Sequence, residues 1–337
     1  MKPAPIVSSA LPKLQTQSRT YSLTDFVVMQ AIGAGDVSAS FLAQSKHNQR
    51  HYTLKVYEKA KIVRQRMVER VNDERAVLRE CKHPFIVHLW AAFQDPSNLY
   101  MVMDFAHGGE LFTLLRRAQR FPNPVAMFYA AEITLALEYL HSRDIIYRSL
   151  DPSNILLTKS GHIKLANFGL AIKCPDVTWT LCGNPEYLAP EVVASKGYNK
   201  ASDWWSLGVL IFEMCCGFTP FGDSGSQMKI YENILNGEVK YPPYIHPDAV
   251  DLLQYLITPD LSRRLGNRRG GAQEVMDHRW FAEVTWMRLL KRDIDAPWSP
   301  QLEGGDGDTS QYDKYAGVSI HSEKLGKDSF SNIFADF

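Results

Sequence analysis

A chain of 337 residues, 45% of them hydrophobic, carries enough apolar surface for one large domain or for two lobes of ordinary size. Its 37 Lys plus Arg balance 37 Asp plus Glu, so no net field draws it to nucleic acid or to an anionic membrane, and neither is expected as a partner. The five cysteines show no CxxC pair, and their odd count fits reduced thiols in a cytoplasmic protein, or equally a nuclear one.

Residues 1–20 carry Pro, Ser, Gln and Thr without apolar periodicity and are expected to form a disordered arm. No signal peptide is recognisable, and Met1-Lys2-Pro3 lacks the glycine that N-myristoylation requires. Order is expected from Tyr21. The stretches Phe26 to Ile32, Ser38 to Gln44 and Tyr52 to Tyr57 read as strands separated by the turn-rich pieces Gly33-Ala34-Gly35-Asp36 and Lys46-His47-Asn48-Gln49, which predicts a small antiparallel sheet. From about Arg66 to Arg79, Met67, Val71, Val77 and Leu78 stand among charges as one apolar stripe of a helix. After Gly108-Gly109 the texture turns helical. Pro124 suits a first helical position, and Val125 to His141 is apolar on most faces. The apolar stretch 205–221 is too short to span a bilayer and is interrupted by Glu213, so it predicts a buried core helix. The expected class is α+β, with a sheet-rich small lobe and a larger, mainly helical one.

The glycine pattern at Gly33, Gly35 and Ser38 lies between two strands, where an ordinary hairpin is the commoner meaning. It is not a Walker loop, because no GK[ST] follows, and not a Rossmann turn, because a strand comes next. Lys55 lies on the third strand and Glu74 on the following helix. Further along come Tyr147-Arg148-Ser149-Leu150-Asp151-Pro152-Ser153-Asn154, Asn167-Phe168-Gly169, Ala189-Pro190-Glu191, Asp203 and Arg264. This series, in this order and spacing, resembles the protein-kinase motif set. The strings Trp179-Thr180-Leu181-Cys182-Gly183, Gly197-Tyr198-Asn199-Lys200 and Asp203-Trp204-Trp205-Ser206-Leu207-Gly208 are similar to those of the AGC group, in particular the catalytic subunits of cyclic-AMP-dependent protein kinases. The terminal Phe334-Ala335-Asp336-Phe337 resembles the Phe-x-x-Phe that such kinases fold back onto the small lobe.

The resemblance implies a kinase domain over 21–281, with a small lobe at about 26–103, a hinge at 104–109 and a large lobe at 110–281, followed by an AGC-type tail over 282–337. It implies ATP and magnesium as cofactors, a slot formed by Gly33, Gly35, Met103 and Leu156, a phosphate contact from Lys55 held by Glu74, and a metal contact from Asn154. Thr180 matches an activation-loop phosphosite facing Arg148, with Arg70 as a second arginine. Glu110, Glu186 and Glu213 match acids that take arginines of basic substrate-like segments, and Trp179, Leu181, Glu213 and Tyr231 match a surface for a cyclic-AMP-binding regulatory subunit. Leu78, Leu89, Tyr147 and Phe168 match an apolar column joining the lobes.

The departures from the pattern fall on the chemistry. Ser149 stands where the family has the aspartate that accepts the substrate proton, a role worth about 10²–10⁴ in rate. Asn167 stands where an aspartate holds magnesium, which prefers a carboxylate. Asp151 replaces a lysine beside the transferred phosphate, and a like charge at ~4 Å with an effective dielectric of ~20 is worth about 4 kcal/mol. Ser38 replaces the third glycine, while Ser40 and Thr53 replace apolar covers of the adenine ring. These changes predict a pseudokinase that works by binding, with weak or absent ATP and magnesium use. The alternative is an active serine/threonine kinase acting on Arg-rich peptides, with Asp151 as a displaced base.

Overall fold

The computed structural model describes residues 20–222, 225–302, 304–320 and 328–337; the arm expected over residues 1–20 therefore lies outside the described residues except for Thr20. Five antiparallel strands make the small lobe: β1 (Phe26–Ala34), β2 (Ser38–Ser45), β3 (His51–Glu58), β4 (Leu89–Gln94) and β5 (Asn98–Asp104), in the order β1-β2-β3-β5-β4. The three strands expected from the sequence are present, each a residue or two longer, and β4 and β5 complete the sheet.

Strand alternation sorts β3 onto two faces. Leu54 and Val56 join Phe26, Phe41, Tyr100 and Val102 in a core on one face, which tail residues Tyr315, Val318 and Ile320 cover. Thr53, Lys55 and Tyr57 turn to the other face. There α1 (Lys59–Arg64) and α2 (Val68–Glu80) pack, α2 burying Val71, Glu74, Val77 and Leu78 on the predicted stripe. Register sets Lys55 between Ser40 on β2 and Met101 on β5, and Thr53 opposite Met103.

Beyond the hinge, the large lobe contains α3 (Leu111–Ala118), α4 (Asn123–His141), the short hairpin β7 (Ile155–Leu157) and β8 (Ile163–Leu165), and the pair β6 (Ile145–Ile146) with β9 (Ile172–Lys173). After these come α5 (Pro190–Val193), α6 (Ala201–Cys216), α7 (Gln227–Asn236) and α8 (Pro247–Leu256). α4 starts with Pro124 in its first turn, and α6 is buried along nearly its whole length, as its all-round apolar sequence requires. Two charged anchors satisfy this core. Asp203 accepts from the backbone N–H of Tyr147 and of Arg148, both at 2.9 Å, and from His141 at 2.8 Å. Arg264 makes a two-pronged bond to Glu191 at 2.6 and 3.0 Å with no solvent exposure. The core therefore fixes the loop that carries the site from beneath.

The tail returns to the small lobe. Phe334 is 1% exposed beside the aliphatic core, its carbonyl accepts from Gln94 at 2.7 Å, and buried Lys59 pairs with Asp328 at 2.8 Å. No helix among the described residues is long and apolar enough to cross a membrane.

Candidate functional site

A cavity of about 240 Å³ lies between the lobes. Its roof comes from β1 to β3, with Gly33, Gly35, Ser38, Ser40, Thr53 and Lys55, and its floor from Val87, Met103, Leu156 and Ala166. Every nucleotide-slot residue expected from the sequence lines this one space. Glycine at 35 is not demanded by the backbone: its φ is not positive, and an added Cβ would meet Ser38 O only at 3.6 Å, so its bareness serves approach from the cavity side. Lys55 Nζ donates to Glu74 Oε1 at 2.7 Å, and Glu74 Oε2 accepts from the Tyr57 hydroxyl, so α2 stands close against the sheet. Ser40 and Thr53 line the cavity where a flat base would require apolar cover.

Asn167 forms one wall of the cavity, and Asn154 lies just behind it. The Asn167 backbone is left-handed, φ 52° and ψ 64°, a conformation that Asn tolerates better than most residues. Its Nδ2 donates to Asn154 Oδ1 at 2.9 Å, while Asn154 Nδ2 donates to Ser149 O at 2.9 Å and to Asp151 Oδ2 at 3.0 Å. At Asn167 a neutral amide replaces the one carboxylate of the family's Asp–Asn pair, a weaker set for magnesium, and its amide proton occupies the Asn154 oxygen that would meet the ion. No group of three His, Cys, Asp or Glu suited to a metal occurs among the described residues.

Asp151 does not reach the cavity wall. It is 7% exposed and caps a single 3₁₀ turn, Oδ1 accepting from Ser153 N at 2.9 Å. Burial pushes its carboxyl above the usual range, opposed by the bonds from Ser153, Asn154 and Asn184. Asn184 was not singled out in the sequence. It precedes Pro185 in an Asn-Pro turn and takes the N–H of Glu186 while also serving Asp151. Ser149 is 4% exposed, and its hydroxyl has no hydrogen-bond partner.

Tyr312 was also missed. It comes from the tail, lines the cavity, and its hydroxyl donates to Ala106 O of the hinge at 2.5 Å. Only chain return, invisible in local spacing, brings it there.

The docking residues separate into exposed and engaged ones. Trp179 and Leu181 are 64% and 50% exposed, flanking the exposed Thr180. Thr180 O accepts from Tyr198 OH at 2.6 Å, and Arg148 donates to that hydroxyl at 3.2 Å, which places the arginine near the threonine backbone. Arg70 instead donates to Gly169 O. Tyr231, on α7, is part-buried and accepts from Gln227 at 2.6 Å. Glu186 accepts from Thr219 at 2.5 Å. Glu213 is not an open acid: it is 2% exposed, receives the Tyr187 hydroxyl and pairs with Arg116 at 3.3 Å, so an incoming guanidinium would take the place of Arg116. Burial raises the carboxyls of Glu110 and Glu213, and the nearby charge of Asp151 adds to both shifts.

The protein kinase domain pattern matches residues 26–281. The cAMP-dependent protein kinase catalytic subunit of Arthrobotrys oligospora is 60% identical over 317 residues, covering 94% of this chain and 61% of that protein. The cAMP-dependent protein kinase type 3 of Saccharomyces cerevisiae is 53% identical over 332 residues, 98% of this chain and 83% of that protein, and the human catalytic subunit PRKX is 44% identical over 312 residues, 93% and 87%. With the sheet-on-helix small lobe, the Lys55–Glu74 pair and the folded-back tail already in place, the chain belongs to the protein kinase family, in the AGC branch that holds the catalytic subunits of cAMP-dependent protein kinases.

Proposed function

We propose that this chain is a pseudokinase of the cAMP-dependent line, acting by binding a regulatory subunit or basic substrate-like segments in cyclic-AMP signalling. The observation that carries the reading is the Asn167 to Asn154 amide bond at 2.9 Å, which seats a proton donor on the oxygen that should meet the metal. The loss of the base at Ser149 supports it, and so does Asp151, whose two oxygens are committed to a turn N–H and an amide. The exposed Trp179 and Leu181 supply the apolar part of a partner surface. Cytoplasmic residence, with access to the nucleus, belongs to the same proposal.

Capture by a cyclic-AMP-binding regulatory subunit tests it. The chain should be retained without cyclic AMP, and Trp179→Ala with Leu181→Ala should weaken retention at least about tenfold. Failure to bind where an active catalytic subunit does would exclude this role. The kinase alternative draws on one observation, the raised carboxyl of Asp151, which is the direction a general base requires. On that reading, phosphate incorporation would disappear in Lys55→Met and in Asp151→Ala.

A further inference from the structure

Among the described residues between 26 and 281, six carboxylates are buried, and five of them face a basic side chain. Glu74 has Lys55, Glu132 has His162, Glu191 has Arg264, Asp203 has His141 and Glu213 has Arg116. Asp151 is the exception among these six, held by Ser153, Asn154 and Asn184 and by no cation. A buried carboxylate held only by neutral donors retains most of its desolvation cost.

A second observation lies two residues away. The Ser149 hydroxyl is buried without a partner. The backbone at Asp151 is extended, φ −151° and ψ 164°. One amide, Asn154 Nδ2, binds both Ser149 O and Asp151 Oδ2, so the two residues are held as a unit. A phosphate would be repelled here, and a serine hydroxyl would leave the charge unpaired. A guanidinium or ammonium group would donate to the carboxylate and to the hydroxyl oxygen together.

We propose that Asp151 and Ser149 are the anchor for an arginine or lysine side chain of a docked segment, at the place where active kinases hold the phosphoacceptor residue. This rests on the reading that the chain binds basic segments, and it adds the identity of the central residue.

Fluorescence anisotropy with the full chain tests it on three labelled peptides: one containing Arg-Arg-x-Ser, one containing Arg-Arg-x-Arg, and an isomer of the second with its third arginine moved to the far C-terminus. The Arg-Arg-x-Arg peptide should bind at least about tenfold tighter than both others. That ratio should fall to about one in Asp151→Asn and be reduced in Ser149→Ala, which keeps the charge and serves if the first variant folds poorly. Equal affinity for the three peptides, or an advantage that survives Asp151→Asn, overturns the proposal. If Arg-Arg-x-Ser binds without any gain from the central arginine, only this inference fails; if no peptide binds, the basic-segment reading fails with it.

Discussion

At the position of Asn167 the backbone is left-handed, and Asn occupies that region at little cost, so exchange of a metal-binding aspartate for its amide alters charge while leaving the turn intact. The reverse change should fold as well. Wild-type protein with ATP should melt at the same temperature in EDTA and in millimolar magnesium, whereas in Asn167→Asp magnesium should add at least ~2 °C, read by thermal shift. Asp151 supports a prediction about pH. Its folded-state pKa is raised above the unfolded value near 3.8, so the folded protein holds a proton that the unfolded chain has released. The contribution is favourable below that unfolded value and is lost as pH rises through the folded pKa. Relative to Asp151→Asn, wild-type stability should therefore increase as pH falls from 7 toward 4, by about 1.4 kcal/mol for each unit of upward shift, measured by urea unfolding at both pH values. A difference that stays constant with pH would show that the carboxyl is not raised.

Among the elements, the tail decides how the small lobe is closed. Phe334 is 1% exposed, so Phe334→Ala should cost about 3 kcal/mol or more and speed proteolysis of the tail. In the large lobe, Arg264→Ala would leave Glu191 buried without its partner and should cost ~3–5 kcal/mol by chemical denaturation. The strands β1 to β3, helix α2 and helix α4 were legible because alternation and helical periodicity are local signals. The cavity lining at Gly33, Lys55, Met103 and Leu156 followed from motif spacing. Asn184 and Tyr312 were not legible, because one reaches Asp151 from a turn thirty-three residues later and the other arrives from the tail. The burial of Glu213 against Arg116 was hidden for the same reason: residue type gives the charge, and only packing says which charge is already paired.

Across the whole molecule, the framework of an active kinase persists around a centre with altered charge. Lys55 pairs with Glu74 inside the small lobe, Tyr147 packs on Phe168 with ring centroids 5.0 Å apart and Arg264 holds Glu191 inside the large one, and Arg70 reaches Gly169 O across the two. Within that framework the metal position is bridged by two amides, a serine stands at the place of the base, and a carboxylate with no cationic partner takes the place of a cation. On the proposed reading, such a cleft favours cationic segments over phosphate transfer. The most direct measurement is incorporation of labelled phosphate from ATP into an Arg-Arg-x-Ser peptide, comparing wild-type protein with Lys55→Met and with the combined variant Ser149→Asp, Asp151→Lys, Asn167→Asp. The account predicts wild-type incorporation at the Lys55→Met background and measurable activity in the combined variant. Wild-type turnover in the ordinary kinase range of about 1–100 s⁻¹, abolished by Lys55→Met, would contradict it.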